Sequence, residues 1–102
     1  MTEFFPTQAE AMARTFGMVL GAASCNDDVS NERLDAAAEK MKSVLAVTAD
    51  SAEDAEAACD RFSAAIVAGR RAVKQGAIQD WAAETALRKI EDDLEEAELS
   101  LI

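Results

Sequence analysis

The strongest nucleophiles available to this chain are two cysteines, Cys25 and Cys59. A thiol reacts as its thiolate, so a catalytic cysteine needs a nearby base or cation. The chain contains no histidine, and the cation nearest to Cys59 along the sequence is Arg61. Cys59 also falls on the apolar face of a predicted helix, where a free cysteine behaves as a small hydrophobe. Neither cysteine belongs to a CxxC pair, and without histidine the two cannot complete a zinc site. Cys25 stands near the end of a different helix. With those two helices parallel, the sulfurs differ by about nine residues in height, roughly 13 Å at the helical rise, too far for a disulfide.

Carboxylates are the other reactive groups. No Asp or Glu pair stands out as an acid and a base. A di-iron bundle needs Glu-x-x-His motifs, which this composition excludes. The stretch Asn26-Asp27-Asp28-Val29-Ser30-Asn31-Glu32 resembles a calcium loop only superficially. It lacks the glycine at the sixth position and the alternating ligand spacing, and its side chains suit turns and helix caps instead. The reading is therefore of a protein with no catalytic residues, no cofactor and no metal.

The densest charge feature is Glu91, Asp92, Asp93, Glu95, Glu96 and Glu98, six acids within eight residues. They lie near a predicted helix C-terminus, where the helix dipole disfavours anions. Local helix stability does not explain them. They read either as a solvated last helix or as a docking surface for a basic protein partner.

The whole chain shares that bias, with 20 acidic and 10 basic residues and a net charge of −10. Such a charge opposes direct nucleic-acid binding, which relies on cations neutralising phosphates, and opposes anionic membrane surfaces. No apolar run is long enough to cross a bilayer. The opening MTEFFPTQAE has no cationic segment of the kind a secretory signal carries. These features predict a cytoplasmic protein with both thiols reduced.

The elements that position these residues are helical. At 102 residues the chain fits one domain. It holds 23 Ala against 4 Phe, 1 Trp and no Tyr, a composition that favours helix and close helix approach but adds little buried area per residue. Four amphipathic helices are predicted at about 7–25, 29–47, 51–75 and 78–99, from the apolar period and its breaks. Thr7 with Glu10 forms a capping box at the first, behind Pro6. Its apolar face runs through Met12, Ala13, Phe16, Val19 and Leu20, and Gly17 and Gly21 leave room for another backbone. The second uses Leu34, Ala37, Ala38, Met41, Val44 and Leu45. The third starts at Asp50 as N-cap with Glu53 in the box position, presents Ala58, Cys59, Phe62, Ala65, Ile66 and Gly69, and stops at Gly76. The fourth narrows to a seam, Ala83, Leu87, Ile90, Leu94, Ala97 and Leu101, at heptad spacing.

Short connections between such helices predict an all-α, antiparallel, up-down-up-down four-helix bundle. The first and second halves also align as a duplicated helical hairpin. Phe16 and Leu20 match Phe62 and Ile66 at an offset of 46, although the shared helical period accounts for most such matches.

Trp81 is expected as a core anchor at the start of the last helix, or, if exposed, as a binding hot spot. Phe4 and Phe5 are expected to cover one end of the core or to reach a second subunit. The last two helices are longer than the first two. The seam either packs on the first and third helices of its own chain or, where the overhang of the longer pair exposes part of it, presents Leu87, Leu94 and Leu101 to a second copy in a symmetric homodimer. The functional reading is a small acidic non-enzymatic interaction module that self-associates. The alternative is an acidic decoy that occupies a basic, nucleic-acid-binding cleft on another protein, as some small phage-borne inhibitors do.

Overall fold

Three of the helices begin where the chain supplies a short side-chain oxygen. In the computed structural model, which describes residues 7–100 and the side chains of 7–97, the helices are α1 (Gln8–Ala23), α2 (Asn31–Thr48), α3 (Ala52–Lys74) and α4 (Asp80–Ser100). Thr7 Oγ1 accepts from the Glu10 amide at 3.2 Å, Ser30 Oγ from Arg33 at 3.1 Å and Ser51 Oγ from Asp54 at 3.0 Å. Each satisfies an amide that the helix itself cannot. The α3 cap is thus Ser51, one residue later than the expected Asp50. The reason lies with Asp54, whose carboxylate accepts from the Asp50 amide at 3.1 Å and from the Thr7 hydroxyl at 2.8 Å. That second bond fastens the start of α3 to the start of α1. At its other end α3 closes on Gly76, whose φ of +76° is a conformation that glycine alone adopts without strain.

α1 and α3 run parallel and in register. Thr7 meets Asp54 at one end, and Arg70 Nε donates to Ser24 Oγ at 3.0 Å at the other. Their contact is the most extensive in the molecule, and glycines permit it. A Cβ added to Gly17 would lie 2.6 Å from the Phe62 carbonyl oxygen, one on Gly21 would collide with the Ile66 main chain, and one on Gly69 with that of Met18. Two backbones touch there with no side chain between them.

The core collects on the other sides of this pair. Phe62, Met41, Leu45 and Leu87 are its largest fully enclosed side chains, joined by Leu20, Val44, Ile90 and Leu94. The described part of the α4 seam is therefore spent inside its own chain. Leu87 is 1% and Leu94 2% exposed, because they face Phe16, Leu20, Met41 and Phe62. For Leu87 and Leu94 the packing is thus within the chain, the first of the two alternatives, and a second copy is not what covers them. Leu101, like Phe4, Phe5 and Pro6, lies outside the described residues.

The arrangement follows from the centrality of α1. It contacts all three other helices, whereas α4 packs on α1 and α2 and scarcely meets α3. α3 and α4 flank α1, and α2 closes the core behind them. The Cα trace measures 39 × 38 × 17 Å, a plate about two helix layers thick at the usual 8–10 Å axial spacing. It has a front formed by α3, α1 and α4, and a back formed by α2. No described helix is long and apolar enough to cross a membrane.

Candidate functional site

The front of the plate carries two grooves, one on each side of α1. Arg14 and Met18 of α1 line both. Between α1 and α4 the walls are Met18, Val19, Ile78, Ala82 and Ala86, around a volume of about 430 Å³. That is within the range of binding clefts, although this one is an open trough. Between α1 and α3 a shallower groove of about 280 Å³ is lined by Arg61, Ala64 and Ala68. Alanines form the α4 side of the first groove and much of the α3 side of the second. Small side chains let the helices stand close but leave the front unfilled.

The charge of the groove linings runs against that of the chain. Among the described residues, the only ionisable ones lining the two grooves are Arg14 and Arg61. No described Asp or Glu lines either, on a chain of net charge −10. Arg14 is exposed, and Arg61 lies 3.9 Å from Glu10 at the edge. No polar or charged side chain is buried among the described residues, and no three metal-binding side chains converge among them. Cys25 and Cys59 are both free thiols. Cys25 is directed at main-chain oxygens of Gly21 and Arg70.

The residues singled out from sequence are dispersed. Trp81 is 66% exposed, not a core anchor, which leaves the surface reading of that residue. Asp92, Asp93, Glu95 and Glu96 lie on the exposed side of α4. The side chain of Glu98 is outside the described residues. Glu91 does not belong with them, because it is half-buried against α2. Arg33 Nε donates to Glu91 Oε1 at 3.0 Å and Oε2 at 3.1 Å, and Arg33 Nη1 donates to Glu84 Oε1 at 3.1 Å. Arg88 Nε reaches the same Glu84 oxygen at 2.7 Å. This network clamps α4 to α2 from the side opposite α3. Sequence reasoning missed it, although a trace was present. Glu84 and Glu91 are seven residues apart, so they share one side of α4.

The clamp has a pH signature. Hydrogen bonds from Arg88 and from Arg33 hold the Glu84 pKa below its ordinary 4.5. A depressed folded-state pKa stabilises the fold above the unfolded value, and that contribution fades as pH falls through the folded one. Glu84→Gln is therefore expected to be less stable than the parent at pH 7 and to converge on it in acid. Urea midpoints measured on both chains from neutral pH to pH 3 check this, and a gap that stays constant across the series would contradict it.

No protein family matches this chain, and neither the curated proteins nor the solved structures provide a match.

Proposed function

We propose that this chain is a small, acidic, non-enzymatic helical interaction module that self-associates. The observation that carries the reading is the front face, an apolar, acid-free trough on a strongly acidic protein. Solubility alone favours charge spread over the surface, whereas grooves lined by no described acid suit contact with another acidic body. The reading takes the protein as cytoplasmic, with its thiols reduced.

Sedimentation velocity tests it. The weight-average mass is expected to rise above 10.9 kDa across about 10 to 300 µM, the range where modest affinities appear. A mass that stays at 10.9 kDa throughout removes self-association from the reading.

The exposure of Asp92, Asp93 and Glu95 favours a second reading, in which the α4 acids occupy a basic cleft on another protein. Such binding weakens steeply with salt, through screening. A partner whose affinity is the same in low and high salt would rule it out.

A further inference from the structure

We infer that copies of this chain associate head to tail, with the outward side of α2 in one copy seated in the α1/α4 groove of the next. The inference rests on the self-association reading and names its two surfaces. The groove offers apolar walls and, at its lip, the exposed Arg14. Its occupant must be a helix with a narrow ridge, because the trough is shallow, and that ridge must be negative to meet Arg14.

The outward side of α2 has both properties. Its inward residues Ala37, Met41, Val44 and Leu45 are buried in the core. On the opposite side Glu32, Ala36, Glu39, Ser43 and Ala46 are exposed, spaced four, three, four and three apart. That spacing forms one continuous ridge along a helix that meets a partner. Ala36, Ser43 and Ala46 keep it low enough for close approach. Glu32, Glu39 and the adjacent Asp35, all exposed, outnumber the cations beside them, exposed Lys42 and partly exposed Lys40. Val47, also exposed, adds apolar area at its end.

The charge pattern separates this arrangement from a front-to-front dimer. A two-fold axis through the front would bring two Arg14-bearing grooves together and leave the more acidic ridge of α2 unused. Front against back pairs opposite charges, which favours encounter and register. The two surfaces lie on opposite sides of the plate. The contact is therefore heterologous, and it propagates into rings or open chains instead of stopping at two copies.

Two single-sided variants decide it. Ala82→Glu places a carboxylate in the groove wall and blocks the front. Ala36→Arg places a bulky cation on the ridge and blocks the back. Each alone is expected to sediment as a monomer, while the parent chain grows beyond a dimer with concentration. An equimolar mixture of the two is expected to form a heterodimer and stop there, since one intact front meets one intact back. Circular dichroism confirms that both remain helical. Should Ala82→Glu lose its fold, Arg14→Glu at the exposed lip serves as the front variant, with association weakened about tenfold or more and recovered on mixing with Glu39→Arg.

Association of the parent that Ala36→Arg retains in full would overturn the head-to-tail contact and leave the self-association reading standing. A mixture that stays monomeric while the parent associates would do the same. A parent chain that is monomeric at every concentration would overturn both.

Discussion

Gly21→Ala is expected to lower the unfolding free energy by about 3 kcal/mol, at the upper end of overpacking costs. Helix propensity works in the opposite direction, since alanine is favoured over glycine by about 1 kcal/mol in a helix interior. The steric term wins because of what the new methyl meets. It would land on the main chain at Ile66, on its carbonyl oxygen, carbon and α-carbon together. A crowded side chain can change rotamer, but a helix backbone can only move away. Separating α1 from α3 at Gly21 also strains the bonds that set their register, Thr7 to Asp54 and Arg70 to Ser24. For a domain whose whole stability is of order 5–15 kcal/mol, the loss is a substantial fraction. Urea denaturation followed by far-ultraviolet circular dichroism measures it. A variant as stable as the parent, or more so, would mean that the two backbones are not in contact.

That close approach is legible in the amino-acid sequence. Two glycines four residues apart on an otherwise good helix have few other purposes, and Gly17 and Gly21 each meet α3. The offset of 46 between Phe16 and Phe62 is also close to the packing register of the two helices, a contact that does not itself test duplication. Ser24 and Arg70, bonded across the pair, are 46 apart, and Thr7 and Asp54 are 47 apart. The exposure of Trp81 is readable too. It stands two residues before buried Ala83, about 200° around the helix from it, so its phase excludes the core.

What the pattern does not supply is the identity of neighbours. Periodicity marks Leu87 and Leu94 as facing something apolar, and the same pattern serves a second chain or the chain's own Phe16 and Met41. The choice depends on which helix lies in the middle, and that depends on the α1/α3 glycine contact pulling two nonconsecutive helices together. The grooves are invisible in the sequence for the same reason. Arg14 and Met18 of α1 lie far along the chain from Ala82 of α4 and from Ile78 in the turn before it, and none of them is unusual in its own segment.

Phe62→Ala is expected to cost about 3–5 kcal/mol, the range for removing a buried aromatic side chain. Phe62 is 1% exposed and one of the largest fully enclosed side chains. The cost depends on whether the surroundings can close over the space left behind, and here two features oppose closure. The Phe62 carbonyl oxygen already supports Gly17, so α1 rests on backbone that the substitution leaves in place and cannot sink into the void. On the other side Met41, Leu87, Ile90 and Leu94 surround a remaining space of only about 10 Å³, packed by helices that the Arg33–Glu91 clamp holds in position. Among these, Met41 is the side chain flexible enough to reach inward, and one methionine does not replace a phenyl ring. Val67→Ala on the exposed side of the same helix is the comparison, with an effect within about 0.5 kcal/mol, as for surface substitutions generally. Denaturation midpoints for the two variants should therefore lie far apart. A Phe62→Ala loss under about 1.5 kcal/mol, below the range for a core that keeps its cavity, would mean that the alanine-rich helices slide inward freely and that the α1/α3 contact does not fix their spacing.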